Sequence, residues 1–224
     1  MNKRTLSIIW IFLLCLVSCP ICKADNPTPP RSRFYKSENG KYVFALLLND
    51  SQLGEVKAQA EFDMQSIKDQ PNSAQKRRMV GVIEANYRRE LKLRGEYKTS
   101  GLFLGGNPNK LLWAYNGDMV FLWAGDIKVA NDGVHVVLIN GWISEDRVAI
   151  CFVASGKTIR SYTVGDLVAP NEKVRETVHG NYWSSGPGLL NNRSGTFSVK
   201  RVLGDSITFD IKTGNKFRGR LPRK

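Results

Sequence analysis

Two short patterns in the chain resemble serine-nucleophile chemistry. Ser73 and Lys76 have the Ser-x-x-Lys spacing, and Lys212 opens a Lys-Thr-Gly sequence; penicillin-binding enzymes carry both motifs in this order. No Ser-x-Asn lies between them to complete a proton network, and Ser73 opens a strongly basic segment. We therefore predict a helix N-cap at Ser73 and a glycine turn after Lys212, with an envelope-associated serine hydrolase or penicillin-binding-like enzyme as the alternative function.

The two histidines and the cysteine of the later chain offer weaker chemistry. His135 or His179 could act as a general base, and Ser184 follows His179, but Ser184 does not lie in a Gly-x-Ser-x-Gly motif. Cys151 lies in an apolar run, which predicts a small buried hydrophobe, and no paired spacing of metal ligands is present. The sequence therefore predicts no catalytic residue, no metal and no cofactor.

Aromatic residues mark one candidate partner surface. Residues 179–192 combine Tyr182 and Trp183 with glycine and proline, which predicts a mobile recognition loop. Tryptophans more often fill a β core than an exposed binding face, and this is the favoured interpretation for the set as a whole. That set comprises Trp113, Trp123, Trp142 and Trp183.

A basic helical segment is the second candidate surface. Its partner-binding candidates are Arg77, Arg78, Arg88 and Arg89, which could contact a protein or an anionic envelope polymer. We do not expect nucleic acid as the partner. Glu84 and Glu90 interleave with these cations, which is typical of a solvated helix face, and that alternative stays open.

The N-terminus has the pattern of an export signal. Lys3 and Arg4 precede an apolar run over 6–17, which is too short to span a bilayer and predicts a signal peptide over 1–24. Two processing routes remain open: lipidation at Cys19 in a lipobox-like sequence, or cleavage after Ala24. We expect an exported protein of the periplasm or cell envelope, whose contact with the membrane is a lipid anchor at Cys19 if that route is used.

Composition restricts the chemistry further. The chain has 224 residues, with 33 basic against 20 acidic side chains, two histidines and four cysteines. Three cysteines lie in the signal segment, so cleavage after Ala24 leaves Cys151 alone and excludes an intramolecular disulfide. The same cleavage leaves 30 basic and 20 acidic residues, a net charge of +10. A surplus of this size favours acidic over basic partners.

Hydropathy patterns predict how the chain is organised. Residues 25–36 are proline-rich, which predicts an extended tether. Residues 37–224 are predicted to form one β domain. Apolar spacing of three and four predicts a one- or two-helix insertion over about 55–95, after the first strand. Short β-prone runs separated by turns such as Ser155-Gly156 predict the remaining strands, with 147–153 covered on both faces. Their ranges are 111–115, 119–123, 127–130, 134–139, 147–153, 158–164, 196–202 and 206–211.

Several motifs recur in a fixed order along the mature chain. A Ser-x-Asn-Gly-Lys-Tyr-Val-Phe opening over 37–44 is followed by an Asn-Asp-Gly-x-His-Val turn over 131–136, a Gly-Trp at 141–142 and a Phe-Asp-Ile-Lys-Thr-Gly over 209–214. This order resembles an uncharacterised family of exported bacterial proteins with propeller-blade-like, WD-repeat-like β hairpins. The sequence departs from that pattern at 102–105. The resemblance implies a fold and an envelope location, and no reaction.

These observations together predict a mainly β protein. The expected architecture is an antiparallel meander of propeller-blade-like hairpins, with a helical insertion. About five hairpins are too few for a closed propeller, so we expect a partial propeller or a sandwich. The expected function is a non-catalytic binding or scaffolding module of the bacterial envelope.

Overall fold

The computed structural model describes residues 30–68, 73–117, 125–140, 142–143, 147–168, 174–177, 180–202 and 205–217. The predicted signal segment, residues 25–29 of the predicted tether, the predicted strand 119–123 and His179 lie outside the described residues.

The first sheet is antiparallel and carries the helices as an insertion. It pairs β1 (Arg33–Lys36), β2 (Tyr42–Leu46), β3 (Gly101–Leu104) and β4 (Leu111–Ala114) in that order. Between β2 and β3 the chain forms α1 (Asp50–Lys68) and α2 (Ala74–Glu96). The predicted two-helix insertion is present, but it follows the second strand and not the first.

That difference comes from β1, which occupies the last four residues of the predicted tether 25–36. The prolines before it suggested an extended linker, yet Phe34 packs against Tyr97 with ring centroids 5.1 Å apart. Pairing with β2 then satisfies the backbone groups on the inner side of this edge strand. The tether prediction is therefore wrong for residues 33–36.

The central sheet follows the first sheet in sequence. It pairs β5 (Gly125–Val129), β6 (His135–Asn140), β8 (Val148–Ala154) and β9 (Lys157–Thr163), and the short helix α3 (Val164–Leu167) follows β9. Ser155 and Gly156 both have positive φ, 47° and 81°, as a two-residue hairpin turn between β8 and β9 requires. The predicted turn at this position is confirmed.

The remaining strands form two smaller antiparallel sheets. The minor sheet pairs β7 (Trp142–Ile143) with β11 (Gly180–Tyr182), which also pairs with β10 (Arg175–Thr177). The third sheet contains β12 (Leu189–Asn191), β13 (Thr196–Lys200) and β14 (Ser206–Asp210). The protein is thus mainly β with open antiparallel sheets, as predicted, and the described strands do not close into a propeller.

The described residues form three hydrophobic clusters. Two of them, the first core and the second core, lie on opposite faces of the central sheet, and a smaller cluster surrounds Tyr97. Alternate residues such as Leu138 and Val153 pack with Phe44 and other residues of the first sheet. Their neighbours Val137 and Phe152 pack with the third sheet instead. Because successive side chains of a strand point to opposite faces, β8 is buried on both sides, and the predicted double coverage of this strand is confirmed.

Side-chain amides connect the turns of the three larger sheets. The Oδ1 atom of Asn131 accepts a hydrogen bond from the Asn39 amide at 3.0 Å, and Asn192 Oδ1 accepts one from the Asn131 amide at 2.8 Å. Asn192 Nδ2 also donates to Glu38 at 2.8 Å. These contacts place the β1–β2, β5–β6 and β12–β13 turns side by side, so equivalent ends of the three sheets lie together.

The helices form an antiparallel hairpin that is anchored at one end. Leu53, Val56 and Tyr87 pack into the first core, and Leu93 packs against the cluster around Tyr97. Ser73 caps α2, because its Oγ accepts a hydrogen bond from the Lys76 amide at 3.1 Å. No helix in the described ranges has the length and hydropathy needed to cross a membrane.

Candidate partner-binding surface

The helical hairpin has an open groove on each side of the line where α1 and α2 meet. The first groove has a volume of about 540 Å³, and its apolar lining comes from both helices. Lys57, Lys68 and Lys76 lie along it, opposed by Glu61 and Glu84. Its apolar residues are Ala60, Met64, Ile67, Val80, Ile83 and Tyr87.

The second groove has a volume of about 560 Å³ and is also lined by residues of both helices. Val82 and Met79, which line it, are 54% and 36% exposed. Arg78 and Asp63 supply its charges. Exposed apolar side chains at helical spacing contribute little to folding, so this face is available to a partner.

The four predicted arginines lie on the exposed part of α2 in two rows. Arg77 and Arg88 are eleven residues apart, as are Arg78 and Arg89, so each pair repeats after about three turns on nearly the same side of the helix. All four are exposed, and Arg78 also lines the second groove. The structure therefore brings the cations onto the same helix as the grooves.

Arg88 and Arg89 both contact other residues of the chain. Arg88 pairs with Glu84 at 2.8 Å, an exposed i,i+4 pair that contributes a few tenths of a kcal/mol. Arg89 donates to the Ser32 carbonyl oxygen at 3.4 Å. A partner would compete with weak surface interactions at both positions.

Glu90 differs from the sequence-based interpretation. It is 3% exposed and accepts a hydrogen bond from the Ser32 backbone amide at 3.2 Å. It therefore does not alternate with arginines on a solvated face, and the exposed surface of α2 is more basic than the sequence pattern indicated. Sequence reasoning missed this because the carboxylate's partner lies 58 residues away.

The aromatic candidates Tyr182 and Trp183 lie outside the helical hairpin. Trp183 is 1% exposed, packs in the second core and donates from Nε1 to the Asn140 carbonyl oxygen at 2.6 Å. Its position does not support a partner-binding role, whereas it agrees with the general expectation that the tryptophans fill the core. Tyr182 ends β11, and its side chain lies outside the described atoms. β11 and β12 lie within 179–192, and residues 183–188 connect them. A recognition role for this connection stays a prediction.

The nucleophile candidates have structural contacts. Lys76 Nζ donates to the carbonyl oxygen of Lys68 at 2.6 Å, at the C-terminus of α1, and Ser73 is the N-cap already described. The Lys212 amide donates to Asp210 Oδ1 at 2.9 Å in the turn after β14, as predicted for a glycine turn. Ser184 is buried, and its Oγ donates to the Gly186 carbonyl oxygen at 3.4 Å.

An Asp-His pair is present in the β5–β6 turn. His135 Nδ1 lies 2.6 Å from Asp132 Oδ2, and the same carboxylate accepts hydrogen bonds from the Val134 and His135 amides. Burial raises the pKa of Asp132, but the hydrogen bonds and the imidazole outweigh it, and the net pKa is lowered. These bonds orient the β5–β6 turn.

The described part of the chain gives little support to a metal site or a reactive thiol. No group of three or more His, Cys, Asp or Glu side chains there could hold a metal ion. Cys151 is buried, and its Sγ lies 3.4 Å from Thr158 Oγ1. The prediction that Cys151 is a buried hydrophobe is confirmed.

No family model, curated protein or solved structure matches the chain.

Proposed function

We propose that the protein is an exported, non-catalytic binding module of the bacterial envelope, in which the β sheets hold a helical hairpin that binds a protein partner. The observation that carries this proposal is the pair of apolar grooves beside a basic helix face. Folding does not require Met79 and Val82 to be apolar, since both remain accessible in the folded chain.

The grooves favour a protein over an anionic polymer. A polyanion needs cations only, whereas both grooves combine apolar walls with charged rims. A partner helix with an apolar stripe and acidic flanks would fit this combination, because its stripe would fill a groove while its carboxylates face the arginines. Charge complementarity of this kind raises the association rate and falls off with salt.

The sheet arrangement supports a scaffold role and a blade-like fold. Sheets that follow one another in sequence pack face to face, and their equivalent turns are connected through Asn39, Asn131 and Asn192. Propeller blades are ordered in this way, so we propose an open, partial propeller. The proposed export rests on the N-terminal pattern of the sequence.

Site-specific photocrosslinking in the native cells tests this function. A photoreactive amino acid at position 82 should give one discrete protein adduct. The matched control is position 189, where Leu189 is a 77% exposed apolar residue of the third sheet. Adducts at neither position, or the same adducts at both, would contradict the proposal.

A second measurement separates the two partner classes. Arg77→Glu combined with Arg78→Glu should weaken the adduct, and Val82→Ser should weaken it as well. If retention on an anionic polymer such as heparin depends on the arginines while Val82→Ser changes neither retention nor crosslinking, the hairpin recognises charge alone and the protein-partner proposal is wrong.

A further inference from the structure

A cleft on the β sheets has a different chemistry from the hairpin grooves. It lies between β9, the edge strand of the central sheet, and the segment after β14, and has a volume of about 570 Å³. Its lining contains two cations, two aromatic rings and one amide, without a carboxylate: Arg160, Tyr162, Asn215, Lys216 and Phe217. This composition suits an anionic ligand that also presents an apolar face.

Lys216 lies on the wall of the cleft and is partly buried. Its ammonium group lies 4.9 Å from the centroid of the Tyr162 ring and donates to the carbonyl oxygen of Asp166. Burial lowers the pKa of Lys216, and the charge of Arg201 lowers it further, although Asp166 acts in the opposite direction. A bound anion would therefore relieve an unfavourable environment.

The Asp166 carboxylate, whose charge acts on Lys216, makes its own hydrogen bonds at the start of α3. Asp166 Oδ2 accepts hydrogen bonds from the Thr163 amide at 2.8 Å and from Thr163 Oγ1 at 2.9 Å. These bonds form the capping box at the start of α3. Asp166 lowers the net charge near the cleft but does not line it.

Backbone contacts fix the walls of the cleft before a ligand binds. Tyr162 Oη donates to the Gly214 carbonyl oxygen at 2.9 Å, and the Phe217 amide donates to the Thr208 carbonyl oxygen at 2.8 Å. Gly214 has φ +70°, and a Cβ atom there would lie 2.7 Å from Arg160 Cβ, so the turn after β14 packs directly on β9. Preformed walls reduce the ordering cost of binding.

We propose that this cleft binds an acidic saccharide, with the anionic group of one sugar between Arg160 and Lys216 and the C–H face of a ring on Phe217. Phe217 is 38% exposed, which leaves its ring accessible for stacking. The Asn215 amide can bond sugar hydroxyls. This site is independent of the hairpin, since different residues line it.

Calorimetric titration of the full chain with defined probes tests the assignment. The probes are hexagalacturonate, neutral maltohexaose and inorganic phosphate. Hexagalacturonate should bind, maltohexaose should not, and phosphate should bind at least tenfold more weakly. Arg160→Gln and Lys216→Gln should each weaken hexagalacturonate binding about tenfold or more, and Phe217→Ala about fivefold.

Lys157→Gln is the matched control, because Lys157 is an exposed cation of the same strand outside the cleft. It should change the affinity by less than twofold. Arg160 is also exposed, so its variant keeps the test valid if Lys216→Gln lowers the melting temperature. The absence of hexagalacturonate binding, an equal loss with Lys157→Gln, or full binding by Phe217→Ala would overturn the proposal.

Discussion

Replacement of Phe152 by alanine tests the packing of the central sheet on the third sheet. Phe152 is fully buried, and its ring centroid lies 5.3 Å from that of Phe209, 6.2 Å from Phe197 and 6.4 Å from Tyr162. Truncation of a buried Phe costs about 3–5 kcal/mol, and the loss of three ring contacts puts this site in the upper half of that range, about 4–5 kcal/mol. For a chain of this size the melting temperature should fall by roughly 8–20 °C.

Urea unfolding followed by circular dichroism measures the decrease in the free energy of unfolding. Ile159→Ala is the control, because Ile159 is 38% exposed on the edge strand β9, and it should cost less than about 1 kcal/mol. A decrease below about 1.5 kcal/mol for Phe152→Ala, or one equal to that of the control, would refute the packing of the central sheet on the third sheet.

A double-mutant cycle locates the effect on one face of the sheet. Phe152→Leu and Phe209→Leu should be non-additive by about 0.5–1.5 kcal/mol, because the rings are in contact. Phe152→Leu and Phe44→Leu should be additive, since Phe44 belongs to the core on the opposite face. Coupling between Phe152 and Phe44 of the same size would contradict the two-core arrangement.

Three further predictions concern the turns and the N-terminus. Asn192→Ala removes the side-chain bonds to Asn131 and Glu38 and should lower the free energy of unfolding by about 1 kcal/mol, with faster amide exchange at Asn131; unchanged exchange would show that the turns are not coupled. The folded-state pKa of Asp132 is below its unfolded value, so its stabilisation is present above the ordinary carboxyl pKa of about 3.9 and is lost as the pH falls through the lowered pKa. The stability difference between the native chain and Asp132→Asn should therefore be smaller below about pH 4 than above about pH 5; a difference that is larger below about pH 4 would contradict the assignment. Intact-mass measurement of the mature protein should show either a lipidated Cys19 or an unmodified Asp25 as the first residue, and retention of 1–24 would disprove the predicted export signal.

Local patterns in the sequence predicted most of the architecture. The alternation over 206–211 and the apolar run over 147–153 correspond to β14 and β8, and the three- and four-residue spacing corresponds to the helices. β1 was missed because four residues beside a proline-rich segment carry a weak signal, and its stability comes from pairing with β2 and from Tyr97. Short strands of this kind depend on tertiary contacts.

The candidate surfaces were harder to predict from the sequence than the strands, because they depend on contacts between residues that are distant in the chain. The arginines of α2 were visible in the sequence, but the burial of Glu90 against Ser32 and of Trp183 against Asn140 was not. The cleft unites Arg160 with Lys216, 56 positions later in the chain. Val82 could have been noticed, since it lies off the apolar stripe of Val80, Ile83 and Tyr87 and remains apolar without a core to face.

The central claim is that the hairpin binds a protein while the sheets support it. The most direct test is the yield of the adduct from position 82 in the Arg77→Glu, Arg78→Glu variant, with the melting temperature measured in parallel. We predict an adduct yield at least fivefold lower with a melting temperature within about 2 °C of the native chain, because both arginines are exposed. An unchanged yield of the adduct in this folded variant would contradict the claim.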